Sequence, residues 1–246
     1  PPEPLLEKAM SAVVDHLRSR REENLKQLTG YLRLPSISTL NTGVREAAGH
    51  LAGLMRGAGV EARILPTRGQ PVVYGEVKGP AGAPVLLVYG HYDVQPADMA
   101  EGWTSPPFEP QVRGGRLYAR GAGDNKGQHF AQLKAVEAFK ATGTPLPVTL
   151  KFLIEGEEEV GSTHLREFVV DNRSLLQADI ACSSDGSLHP SRRPTLALGC
   201  RGLLYLELVA RGAGKDLHSG GYGGAVESPF WRLMQAVQAL RGPDGR

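Results

Sequence analysis

The sequence predicts an α/β fold: a three-layer α/β/α domain on a mostly parallel sheet, followed by the opening of a second, α+β domain. Three short apolar runs, at residues 85–89, 148–154 and 179–183, are each bounded by turn residues, as strands buried on both faces of a parallel sheet are. Segments with helical apolar spacing, at 127–140 and 162–170, separate these runs, and strands alternating with helices imply helical layers over the sheet. With 246 residues, 41% of them hydrophobic, the chain can bury a substantial core.

The elements follow in order. Residues 5–34 form a long amphipathic stretch, with Leu6, Met10, Val13, Val14 and Leu17 at helical spacing, and fit two helices or one interrupted helix. A helix is expected at 46–56, ended by Gly57 and Gly59, then strands at 61–65 and 72–77. Val85-Leu86-Leu87-Val88-Tyr89 lies between Pro84 and Gly90, and His91 leaves its end. A Pro/Gly-rich loop around 103–108 precedes the helix at 127–140 and the strand at 148–154, after which Glu155 to Glu159 follow at once. The helix at 162–170 leads to a third buried strand, 179–183, closed by Asp185-Gly186. Composition shifts near Thr195. Residues 203–210 alternate partly, a Gly-rich loop at 212–224 holds Asp216-Leu217-His218-Ser219, and a helix is expected at 228–240 with Ser228 as N-cap and Pro229 in its first position. The expected division is a catalytic domain over 1–198 and a second, incomplete domain over 199–246.

Several function classes are excluded by composition. A net charge of +2, with Lys and Arg scattered, argues against nucleic acid and against an anionic membrane surface. No run of 18 apolar residues is present, and Pro1-Pro2-Glu3-Pro4 lacks the features of a signal peptide. Cys182 and Cys200 have neither the spacing of a thiolate metal site nor the density of a disulfide framework, so a reducing cytoplasm is expected. Cys182 is expected to be a buried packing residue.

His91 with Asp93, then Asp124, the pair Glu158-Glu159, and Asp185 lie where strands are expected to end or in the loops between them. Open α/β sheets place their sites at the carboxyl ends of strands. Imidazole nitrogen and carboxylate oxygen suit hard or borderline divalent ions, and two ions sharing a carboxylate polarise a carbonyl and acidify a bridging water. Of two adjacent glutamates after a strand, one can hold metal while the other acts as general base, and Asp93 can orient His91 through its second nitrogen. Each residue also has a plain structural reading: a hydrogen-bonded histidine, a solvated acidic turn at residues 155–159, and a turn dipeptide at Asp185-Gly186. Gly121-Ala122-Gly123 is not followed by Gly-Lys-Ser/Thr, so it is not read as a phosphate loop. His16, His50, His129, His164 and His189 carry no assigned role.

Four segments in this order resemble one family: Gly90-His91-Tyr92-Asp93-Val94-Gln95-Pro96, residues 118–127 around Gly123-Asp124-Asn125-Lys126, Glu155-Gly156-Glu157-Glu158-Glu159-Val160-Gly161-Ser162, and Ser184-Asp185-Gly186. The family is that of the dinuclear zinc metallopeptidases, which includes carnosinases, cytosolic non-specific dipeptidases, aminoacylases, carboxypeptidase G and succinyl-diaminopimelate desuccinylase. The resemblance spans about residues 20–246. It implies two divalent ions, zinc before manganese or cobalt, with His91 and Asp185 on one, Glu159 on the other, and Asp124 bridging them. It also implies Glu158 as general base, Asp93 as the residue orienting His91, and a cis peptide between Asp124 and Asn125. Lys215-Asp216-Leu217-His218-Ser219-Gly220 with Tyr222-Gly223-Gly224 is similar to the dipeptidase branch. There the second domain is a lid and dimerisation domain, and its histidine, here His218, stabilises the oxyanion in the active site of the partner subunit, a contribution of about 3–4 kcal/mol.

The resemblance therefore implies a homodimeric hydrolase of dipeptides or short peptides. An N-acyl-amino-acid deacylase or carboxypeptidase on the same site, and a non-catalytic metal-binding or dimerisation module, are the alternatives. Family members return to the catalytic domain after the lid and supply a last histidine ligand. No histidine follows His218, so a fragment of a longer enzyme is expected.

Overall fold

The computed structural model describes residues 3–186, 190–191, 193, 195–199, 201–240 and 242, with side chains described from Ala9 onward. The chain divides into two units, Pro1–Leu188 and His189–Arg246.

The first unit opens with helices α1 (Glu3–Ser19) and α2 (Arg21–Leu32), so the amphipathic stretch is two helices that break at Arg20. Helix α3 (Val44–Gly57) buries Val44, Ala47, Ala48, Leu51, Ala52 and Met55, a stripe at i, i+3, i+4, i+7, i+8 and i+11. It starts two residues before the expected boundary because Gly43 turns the chain in, with φ of 68°. A Cβ there would stand 1.8 Å from the Pro35 carbonyl oxygen, so the entry requires glycine.

Strands β1 (Glu61–Leu65), β2 (Val72–Val77) and β3 (Val85–His91) follow, then the hairpin of β4 (Gln111–Arg113) and β5 (Arg116–Tyr118). The hairpin was not anticipated, although Gly114-Gly115, both at positive φ, is the dipeptide that a tight hairpin turn demands. Helix α4 (Lys126–Ala141), strand β6 (Thr149–Glu155), helix α5 (Leu165–Asp171) and strand β7 (Ile180–Ser183) complete the unit.

The main sheet has the order β1-β2-β6-β3-β7. β1 and β6 pair antiparallel to β2, whereas β3 pairs parallel to both β6 and β7, so β2 alone runs against the other four. Helices α3 and α4 cover one face with a core that includes Leu51, Met55, Leu133, Val88, Phe152 and Ile154. Phe168 of α5 packs on the other face with Val72, Tyr74 and Leu153, giving the three-layer arrangement. α1 and α2 pack on α4. The carboxyl ends of β3, β6 and β7 share one edge of the sheet.

β7 corrects an expectation. All four of its residues are exposed, Cys182 among them, because β7 is an edge strand and nothing among the described residues lies over it. Cys200 and His189 lie outside the described residues.

In the second unit, helices α6 (Ser219–Tyr222) and α7 (Pro229–Ala239) form, and the Ser228 hydroxyl accepts the Phe230 N–H at 3.3 Å as the expected cap. Residues 203–210, expected to be strand-like, form no ladder. They find no partner strand among the described residues, and a lone strand satisfies none of its own backbone groups. Among the described residues, no helix is long and apolar enough to cross a membrane.

Candidate metal centre

Three strand ends converge on His91. It is the last residue of β3, fully buried, and in parallel register with Glu155, the last residue of β6. Its Nε2 stands 3.0 Å from Asp124 Oδ1, 3.5 Å from Asp185 Oδ2 and 3.9 Å from Glu158 Oε2. Its Nδ1 is held 3.0 Å from the Asp93 carbonyl oxygen and 3.4 Å from Asp93 Oδ1. Burial alone would lower the imidazole pKa, but the hydrogen bond and charge of Asp93 overcome it and raise the group to about 9.

Asp93 is itself fully buried and serves a second purpose. Its Oδ1 accepts the Glu158 N–H at 3.2 Å and its Oδ2 accepts the Glu159 N–H at 3.1 Å. One carboxylate thus anchors both the imidazole and the short 3-10 turn Glu158–Val160. Burial raises the Glu158 pKa; the His91 charge opposes the shift, and the charges of Glu159, Asp185 and Asp93 add to it. A carboxylate made more basic in this way is a better proton acceptor than a solvated one.

The loop before α4 supplies Asp124, largely exposed, through a cis Asp124-Asn125 peptide. Asn125 Oδ1 accepts the His91 backbone N–H at 3.2 Å and lies 3.3 Å from His129 Nδ1, whose Nε2 is 3.1 Å from the Tyr31 hydroxyl. Gly90 makes room for this amide, since a Cβ there would meet Asn125 Oδ1 at 2.6 Å. Lys126 is buried with its Nζ donating to the Leu34 carbonyl at 2.6 Å; burial pulls its pKa down to about 7, against the pull of Asp93. The Gln95 amide donates to Glu159 Oε2 at 2.9 Å, and the Gln132 amide to the Ser184 hydroxyl at 2.7 Å, beside Asp185.

The structure therefore brings together His91, Asp93, Asp124, Glu158, Glu159 and Asp185. His218 lies in the second unit, exposed at the start of α6, where its carbonyl accepts the Gly221 and Tyr222 N–H groups. Sequence reasoning missed Asn125, His129 and Glu155. Asn125 and His129 are four apart at the start of α4, a spacing that puts them on one helix face. Glu155 is buried at the end of β6 rather than solvated in a turn, which corrects the acidic-turn reading for that residue.

His91, Asp124 and Glu159 each offer a ligand atom, and these atoms lie within 4.8 Å of one another. Donors sharing an ion at about 2.0–2.2 Å stand at most about 4.4 Å apart, so the group is close to binding dimensions. One buried imidazole among carboxylates is the donor set of a divalent ion, and the residues fit one.

Comparison with known proteins bears on the same residues. The family model described as peptidase family M20/M25/M40 matches residues 87–237. The chain belongs to this family. Among M20 relatives, the Cys-Gly metallodipeptidase dug1 of Schizosaccharomyces pombe is 32% identical over 96% of the chain and 53% of its own length. The human Beta-Ala-His dipeptidase is 38% identical over 69% of the chain and 34% of its own length. Among solved structures, the M20 family metallo-carboxypeptidase Sso-CP2 from Sulfolobus solfataricus superposes with a TM-score of 0.84 at 40% identity, covering 91% of the chain and 51% of that protein. The chain thus spans about half the length of these M20 proteins, or less.

Proposed function

We propose that the chain carries the metal site of a cytoplasmic, homodimeric, metal-dependent dipeptidase, with the catalytic domain over 1–198 and a lid domain beginning at 199. The observation that carries this reading is the buried His91 imidazole, met at one nitrogen by carboxylates from three separate loops and at the other by Asp93. His91 and Asp185 would hold one ion, Glu159 the other, and Asp124 would bridge two zinc ions. Bound zinc would supply Lewis acidity to the scissile carbonyl and to the attacking water. Glu158 takes the proton of that water and passes it to the leaving amine as the C–N bond breaks. Asp93 keeps His91 oriented, and His218 donates to the developing oxyanion.

Support for a dipeptide substrate comes from the relatives named for Cys-Gly and Beta-Ala-His. The solved carboxypeptidase gives the second reading, in which the same chemistry removes a C-terminal residue from a longer or acylated substrate. Turnover by the full-length protein of dipeptides against N-acyl amino acids separates them, while metal content by elemental analysis and turnover with and without chelator test the metal chemistry they share. Glu158→Ala should abolish turnover while leaving metal content intact. Retained turnover removes Glu158 as the base, and chelator-insensitive turnover removes the metal mechanism altogether.

A further inference from the structure

We infer that Glu155, Tyr89 and Ser162 form a clasp that sets the Glu158-Glu159 loop over His91, making Glu155 and Ser162 positioning residues of the proposed metal site. The inference rests on the dipeptidase reading above and concerns groups to which that mechanism gives no part.

Glu155 is 2% exposed, an unusual place for a carboxylate unless hydrogen bonds hold it. A single oxygen, Oε1, accepts two hydroxyls, from Tyr89 at 2.6 Å and from Ser162 at 2.7 Å. Glu155 ends β6 and Ser162 lies seven residues on, so this contact joins the two ends of the loop that carries Glu158 and Glu159. Tyr89 supplies the third point. It lies two residues before His91 on β3, and side chains two apart share one face of a strand. Glu155 is in register with His91 across the β3–β6 pair. The clasp and the imidazole are therefore mounted on the same two hydrogen-bonded strands.

The backbone of the loop is shaped to reach the clasp. Gly161 has φ of 86° and Ser162 has φ of 50°, a left-handed conformation that favours glycine over serine. The Ser162 N–H closes the turn on the Glu157 carbonyl at 2.8 Å. Glycine at 162 would suit this backbone better, and what serine adds is the hydroxyl that binds Glu155. Asp93 holds the middle of the loop by the Glu158 and Glu159 amides, and Glu155 holds its far end. Gln95 also ties the loop, through the Glu159 carbonyl at 3.0 Å and its carboxylate at 2.9 Å, so losing the Glu155 attachment frees the far end and lets the Glu158-Glu159 turn shift relative to the imidazole.

Three variants in the full-length protein test the clasp, read by zinc competition titration and by chemical denaturation. Ser162→Gly relieves the backbone strain and removes the hydroxyl. It is expected to leave the unfolding midpoint near that of the unmodified protein, relieved strain offsetting the lost hydrogen bond, while weakening zinc binding about tenfold to a hundredfold, the usual effect of losing a group that orients a ligand. With zinc saturating, its kcat for a dipeptide should fall with KM unchanged, since the base is displaced and the substrate contacts are not. Glu155→Gln keeps an oxygen that can accept both hydroxyls and is expected to retain wild-type affinity, whereas Glu155→Ala should not. A Ser162→Gly protein that binds zinc as the unmodified protein does would overturn the clasp and leave the proposed function standing. Failure of the unmodified protein to bind zinc would overturn the proposed function itself.

Discussion

Asp93→Asn is the most informative single change, because one buried carboxylate supports the imidazole and both glutamate amides. Asparagine keeps the size of the side chain and the backbone carbonyl that meets His91 Nδ1 at 3.0 Å. It offers one acceptor oxygen in place of two, so its NH2 must face the Glu158 or Glu159 N–H, donor against donor. One hydrogen bond to a charged acceptor is then lost, about 1.5–3 kcal/mol. Passed to the metal through Glu159, that loss corresponds to a fall in zinc affinity of about tenfold to a hundredfold.

An opposing effect acts through the imidazole. With its pKa raised to about 9, metal-free His91 carries a proton at pH 7 that binding must expel, so affinity in the unmodified protein should climb with pH until about 9. Since Asp93 provides the lift, the asparagine variant should show a flatter pH dependence and its deficit should widen from pH 7 to pH 9. The assay is competition against a chromophoric chelator across that range. Equal affinity and equal pH slope in both proteins would refute the role given to Asp93.

Further outcomes follow from the packing around the site. His129 is buried and its pKa is pushed down to about 3, by burial first and then by the charges of His91 and Lys126, so the unfolded chain binds this proton more tightly. Its stabilising contribution is complete above about pH 6.5 and is lost as pH falls towards 3, at up to ~1.4 kcal/mol per pH unit, and His129→Asn should flatten that slope in urea titrations at pH 5 to 7. Gly90→Ala forces the new methyl against Asn125 Oδ1 and should cost about 1–3 kcal/mol in chemical denaturation. Leu51→Ala, in the fully buried stripe of α3, should cost about 2–5 kcal/mol without changing zinc stoichiometry.

Much of the fold was legible because its signals are local. A helix with one covered face repeats its apolar residues every three or four positions, which is why α3 and α4 stand within two residues of their expected bounds. β3 and β6 read as strands because both faces are covered and both runs are apolar. β7 read the same way and is exposed, since apolar composition alone does not say whether a strand lies inside a sheet or at its edge. The hairpin of β4 and β5 was lost among neighbouring prolines and glycines, although Gly114-Gly115 marked its turn.

By itself the sequence determined the order of the main-sheet strands and the helices between them, and with its local motifs the acidic and imidazole groups that a divalent ion would take. Each motif is only a few residues long, and its chemistry is written in the residue types. Tertiary structure decided which of those groups meet. Ninety-four residues separate His91 from Asp185, yet Nε2 and Oδ2 stand 3.5 Å apart because β3 and β7 are hydrogen-bonded neighbours. The same pairing logic, a parallel register between β3 and β6, set Glu155 beside His91 and turned a run of acidic residues into one buried carboxylate followed by the Glu158-Glu159 pair near the imidazole. Burial and charge proximity are properties of the packed chain. The upward shift of His91, the downward shift of His129 and the clasp at Ser162 appear only once the strands are side by side.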